Sequence, residues 1–141
     1  MRVMVLVKAT KDSESGIMPS PELFEAMGKF NEELVNAGIM LAGEGLHPSS
    51  KGKRIAFDGD KRTIKDGPFS ATNELVAGFW ILEVASREEA VQWARRCPIG
   101  PGVTLEVRRI AELSDLEGVA PAEVLDAEAT LRRRVAERDQ V

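Results

Sequence analysis

The chain has 141 residues, 43% apolar and 30% charged, with net charge −4 and a single cysteine. This is the balance of one soluble globular domain with a real core. No apolar run approaches the roughly 20 residues of a membrane helix, and a lone Cys97 allows neither an internal disulfide nor a thiolate metal cluster. The acidic excess lies in the tail: residues 1–110 hold 15 acidic and 15 basic side chains, residues 111–141 hold 8 and 4. A neutral body with an acidic tail argues against nucleic acid as a partner.

The opening residues, MRVMVLVKAT, have too short an apolar run for a signal peptide and no cleavage site after it. A cytoplasmic protein is expected, with no membrane partner. Residues 2–8 (RVMVLVK) read as a first strand. A polar, glycine-containing stretch runs from Thr10 to Ser20. Ser20 then supplies an N-cap and Pro21 a first helical residue. Leu23, Met27, Phe30 and Leu34 recur at helical spacing, predicting an amphipathic helix over 21–37 that Gly38 ends.

Residues 39–46 (IMLAGEGL) predict a second strand. Residues 53–58 (KRIAFD), a Gly59-Asp60 turn and residues 61–65 (KRTIK) predict a hairpin. Residues 78–85 (GFWILEVA) are a strongly apolar strand. Ser86 with Glu89 makes a capping box for a helix reaching to about Cys97, before Pro98. Residues 103–110 (VTLEVRRI) alternate as a last strand, and a helix opens near Ala120 and Pro121 with Val124, Leu131 and Val135 on one side.

The order β-α-β, hairpin, β-α-β predicts an α+β, ferredoxin-like (split βαβ) antiparallel sheet with an inserted β-hairpin and a C-terminal helix. Residues 1–110 are the ferredoxin-like domain, and 111–141 its C-terminal helical extension. Both helices would cover one sheet face. Yet the strand 2–8 is apolar on both sides, Val3, Val5 and Val7 against Met4 and Leu6, and a sheet apolar on both sides must be covered on both. A second copy of the same sheet is the simplest cover, so a homodimer is predicted.

His47 is the only histidine. It follows Gly43-Glu44-Gly45-Leu46, where glycines permit close approach of backbone or ligand, and imidazole is the usual general base near neutral pH. One histidine among scattered acids is no metal signature. Asp66 opens Asp66-Gly67-Pro68-Phe69, which reads either as a bare turn with Phe69 as anchor or as a mount for one carboxylate. If the ends of the second strand and the hairpin meet, Asp66 would orient His47 for proton transfer on a small molecule. Glu44, Glu83 and Glu106 are acids inside strands, costly there unless paired or wet. Arg54 and Arg108 are candidate partners or anion clamps. With Glu83 they form the candidate substrate-binding set. No dinucleotide, phosphate-loop or nucleophile-elbow motif occurs, so no cofactor is expected.

The segments AGEGLHPS (42–49), DGPFSATNE (66–74), AGFW (77–80) and ARRCP (94–98) resemble the YCII-related family, in its DGPF-domain subgroup. The resemblance runs in order through nearly the whole chain, the Pro121 helix included. It implies a ferredoxin-like fold and dimers of the dimeric α/β-barrel type. The wider family includes a dehydrochlorinase-like enzyme of chlorinated-aromatic breakdown, with a suspected His–Asp pair. Carried onto this chain, the pair is His47 and Asp66, implying cofactor-independent proton transfer or elimination on a small organic ligand. DGPF proteins are also associated with extracytoplasmic-function sigma factors, which implies the alternative of a non-catalytic dimeric ligand- or protein-binding module.

Overall fold

A computed structural model describes residues 1–70 and 72–140. Ala71, inside the 66–74 motif, and Val141 lie outside the described residues. The elements run β1 (Arg2–Lys8), α1 (Lys11–Glu14), α2 (Pro21–Asn36), β2 (Met40–Gly45), β3 (Lys53–Asp58), β4 (Lys61–Asp66), β5 (Val76–Glu83), α3 (Arg87–Arg95), β6 (Leu105–Arg109) and α4 (Ala122–Arg138). The main sheet has the order β2-β5-β1-β6, and β3-β4 is a separate two-stranded sheet. All three pairings in the main sheet are antiparallel. This is the ferredoxin-like α+β arrangement the sequence predicts, with its inserted hairpin and C-terminal helix. Residues Met1–Arg109 form one compact unit, and the chain from Ile110 a second. No helix among the described residues is long and apolar enough to cross a membrane.

Local chemistry sets the boundaries. The Ser20 hydroxyl accepts from the Leu23 amide at 3.2 Å with Pro21 behind it, and α2 starts there. At its far end Gly38 takes φ +71°, a left-handed turn that side chains disfavour. The polar stretch after Thr10 holds a helix that apolar spacing does not reveal. In α1, Thr10 Oγ1 accepts from the Ser13 amide at 3.1 Å while Ser13 Oγ accepts from the Thr10 amide at 2.8 Å. Strand β5 sits two residues earlier than the 78–85 expected. Val76 pairs with Lys8 across a bulge, and the Ala85 amide is taken by the Glu89 carboxylate at 2.8 Å as α3 begins.

The core lies between the sheet and the two long helices of the first unit. Val3, Val5, Trp80 and Leu82 of the strands, with Val84 just past β5, cluster with Phe30 and Leu34 of α2 and Ala90 of α3. Each large side chain buried there contributes about 1.5–3 kcal/mol. Trp80 is the hinge of the packing. Its ring meets Phe30 edge-on, 5.8 Å between centroids, and its Nε1 donates to Asn31 Oδ1 at 2.9 Å. Gly43 makes room for it, since a Cβ there would stand 2.9 Å from Trp80 Cδ1.

The opposite sheet face carries rows set by register. Arg108, Met4, Ile81 and Ala42 form one row, and Glu106, Leu6, Phe79 and Glu44 the next. Met4, Leu6, Phe79 and Ile81 take no part in the helix-side core.

Candidate functional site

Asp66-Gly67-Pro68-Phe69 closes β4 by docking on the segment that follows His47. The Gly67 amide donates to the Gly52 carbonyl at 3.0 Å, and the Gly67–Pro68 peptide is cis. The approach is close: a Cβ on Gly67 would fall 1.7 Å from the Ser49 carbonyl oxygen. The Phe69 amide donates to Ser49 Oγ at 3.0 Å, and the Arg54 guanidinium stacks over the Phe69 ring, 3.9 Å from its centroid. Asp66 itself pairs with a surface lysine. Lys53 Nζ holds its carboxylate at 2.5 Å, and both side chains are largely exposed.

Ser49 is the hub of this corner. Glu14 accepts from the Ser49 amide at 2.9 Å and from its hydroxyl through a second oxygen. The sequence alone gives no notice of this contact, because Glu14 and Ser49 lie 35 residues apart and neither belongs to a chemical motif. One side chain thus joins α1, the 3₁₀ turn at Ser49–Lys51 and the DGPF turn.

A groove runs beside that corner, between the first turns of α2, the 10–19 segment and the sheet ends. Its larger part has a volume of about 670 Å³ and is walled by Val7, Ile17, Met18, Leu23, Phe24, Leu46, Ile99 and Val103, with Thr10, Asp12, Ser13, Lys8 and His47 as polar members. An adjoining part of about 380 Å³ reaches Met27, Asn31, Glu44 and Trp80. Ile17, Met18, Phe24 and Leu46 are each more than half exposed, so the groove's apolar wall faces outward. A few hundred cubic ångströms of mostly apolar wall with a few polar groups is the usual form of a small-molecule site. Gly45, at the end of β2, lies on the groove wall.

The structure separates the residues that the sequence puts forward. His47 lies on the groove wall. Asp66 does not line it, and among the described residues no hydrogen bond or ion pair joins Asp66 to His47; Lys53 is its partner. Arg54 serves the Phe69 ring. Glu83 lies at the far end of β5, 3.4 Å from the N-terminal ammonium. Arg108 and Glu106 stand on the open sheet face, while Glu44 lies in the row with Phe79 and borders the smaller part of the groove. Among the described residues no group of three or more His, Cys, Asp or Glu side chains could hold a metal ion. Burial pushes the Cys97 thiol up from its ordinary range, partly offset by a backbone hydrogen bond at Ile99.

The groove residues that sequence reasoning missed are Thr10, Asp12 and Ser13 of the first helix and its cap, together with Phe24. The reciprocal Thr10–Ser13 hydroxyl spacing was the available signal for that helix. Phe24 sits beside Leu23 but off the stripe that packs the core, and an aromatic residue there marks a second apolar surface.

An uncharacterised protein of Rhizobium meliloti (strain 1021) is 31% identical over 61 residues, covering 43% of this chain and 49% of that protein. The chain thus spans about half the length of the curated relative it matches. The family model of the YCII-related domain matches residues 1–114, from β1 through β6 and into the turn beyond. By that match the chain belongs to the YCII-related family.

Proposed function

We propose that this protein is a homodimeric module that binds a small, largely apolar organic molecule in the groove beside His47. The observation that carries the reading is the groove itself, about 670 Å³ with an apolar, outward-facing wall and one imidazole among its few polar groups. A ligand there would bury its hydrocarbon or aromatic part against Leu23, Phe24 and Ile99. Its polar end would meet His47, Asp12 or the Thr10 hydroxyl. The open sheet face supports the homodimer: Met4, Leu6, Phe79 and Ile81 form an apolar centre outside the core, and a like face gives the simplest cover.

Binding is favoured over catalysis by a His–Asp pair because Asp66 is held by Lys53 and lies off the groove wall. If the groove does carry out proton transfer, His47 is the residue that reaches substrate, and Asp66 would have to leave Lys53 to assist it. A thermal-shift screen of small aromatic and branched aliphatic compounds tests the reading. Stabilising compounds are expected, and their effect should vanish in Phe24→Asp, an exposed wall residue whose change spares the core. A screen without hits, or hits indifferent to Phe24→Asp, would count against the groove.

A further inference from the structure

A second cavity adjoins the groove and differs from it in chemistry. It has a volume of about 390 Å³ and is lined chiefly by Lys8, Thr10, Lys11, Asn73 and Thr104, with no acidic and no large apolar side chain. Lys8 and Thr10 also wall the groove, so the two spaces meet where β1 ends and α1 begins. The backbone fixes this recess. The Lys8 amide donates to the Thr104 carbonyl at 3.0 Å and the Ala9 amide to the Leu75 carbonyl at 2.9 Å. The reciprocal Thr10–Ser13 cap sets Lys11 as the first residue of α1. Lys8 is half-buried and Lys11 exposed. Among the described residues neither lysine has an ion-pair partner. A half-buried ammonium gives up part of its hydration, and an anion beside it would restore what is lost.

We infer that this recess holds the acid end of the groove's ligand, which is a hydrophobic monocarboxylic acid with an aryl or branched alkyl body. The inference rests on the groove proposed above and names the class of molecule it takes. Charge is the first argument. Lys8, Lys11 and Asp12 are the lysine and carboxylate side chains that line the two spaces. With His47 neutral, one positive charge is in excess. A single carboxylate balances it, and an amine would add to it. Asp12 lines the groove and not the recess, so it disfavours an acid head that stays within the groove and favours one seated at the lysines.

Donor supply is the second argument. Each ammonium offers three donors and the Asn73 amide two, and no acidic side chain in the recess competes for them. Hydrogen bonds from an ammonium to a carboxylate are about twice as strong as neutral ones. The body of the acid would lie against Leu23, Phe24 and Ile99, which wall the groove alone. One end of the ligand is thus read by charge and the other by apolar contact.

Calorimetric titration at neutral pH and low salt tests this with phenylacetate, phenylbutanoate and isovalerate, each beside its own primary amide. The amide keeps the body and removes the charge. The expected result is that at least one acid binds wild type about tenfold more tightly than its amide, the size of a net charged hydrogen bond. That preference should shrink in Lys11→Met and vanish in Lys8→Met/Lys11→Met, while the amide binds all three proteins alike. The near-ultraviolet signal of the tryptophans checks that the variants fold. Acid and amide that bind wild type equally would overturn the recess and leave the groove standing. An acid preference that survives in the double variant would also overturn it, since the charge would then be read elsewhere. Acids and amides that all fail to bind would overturn the recess and the groove together.

Discussion

The Phe69 amide donates to the Ser49 hydroxyl at 3.0 Å, and through that bond the DGPF turn fixes the segment that carries His47. The same hydroxyl donates to Glu14, so Ser49 is engaged from both sides. The motif's glycine, proline and phenylalanine therefore build the corner of the groove, while its aspartate faces a surface lysine.

Ser49→Ala should remove both side-chain bonds and leave the Phe69 amide and one Glu14 oxygen without their partner. Loss of a partner at a partly buried site costs about 1–3 kcal/mol. Urea unfolding should show that loss, and the groove should bind its ligand more weakly because His47 lies two residues away. An unchanged midpoint would mean that water replaces the hydroxyl at no cost.

Gly67→Ala is predicted to be more severe. The added Cβ would stand 1.7 Å from the Ser49 carbonyl oxygen, which is backbone and not free to swing aside. Overpacking of this kind costs at least the usual 1–3 kcal/mol, and a rigid neighbour places it near or above about 3 kcal/mol. Thermal unfolding of the variant should fall well below that of Ser49→Ala.

Asp66→Asn should do little to stability. The Lys53–Asp66 pair is 66% and 74% exposed at its side chains, and exposed pairs contribute about 0–1 kcal/mol, less in high salt. A double-mutant cycle with Lys53→Met should give a coupling in that range at low salt, vanishing near 1 M salt. A larger, salt-independent coupling would contradict the surface role given to Asp66.

Cys97 gives a pH dependence with a definite sign. The folded chain holds the thiol proton more tightly, because burial opposes the thiolate. The unfolded chain releases that proton first as pH rises. The contribution is therefore fully present below the ordinary thiol range and is lost as pH climbs through the raised folded value. Cys97→Ala should flatten the fall in stability over that alkaline window, relative to wild type. Parallel slopes for the two proteins would show that the thiol is not held back in the fold.

Much of the fold was legible because it is written in local signals. Ser20 and Pro21 start α2, Gly38 stops it, and Gly59-Asp60 turns the hairpin at the residues expected. The alternation in β1, β5 and β6 separates the two sheet faces, with Val3, Val5 and Leu82 buried and Met4, Leu6 and Ile81 off the core. Helix α1 escaped notice because four residues with hydroxyl caps leave no apolar period. The site was only half legible. His47 stands out as a lone imidazole, but the groove arises where residues 10–19, the start of α2 and residues 99–103 converge, and nothing in their spacing announces that. The His47–Asp66 pairing depends on a distance between strand ends that local pattern does not encode, and Lys53, the register partner of Asp66 on β3, takes the carboxylate.

The most direct test of the groove is proton NMR of the His47 imidazole during titration with small aromatic and branched aliphatic fragments. With one histidine in the chain, its ring signals need no assignment. The account predicts that at least one such fragment moves those signals saturably, and that Phe24→Asp abolishes the movement. Imidazole signals that stay fixed across the fragments, or that move equally in Phe24→Asp, would contradict a ligand site beside His47.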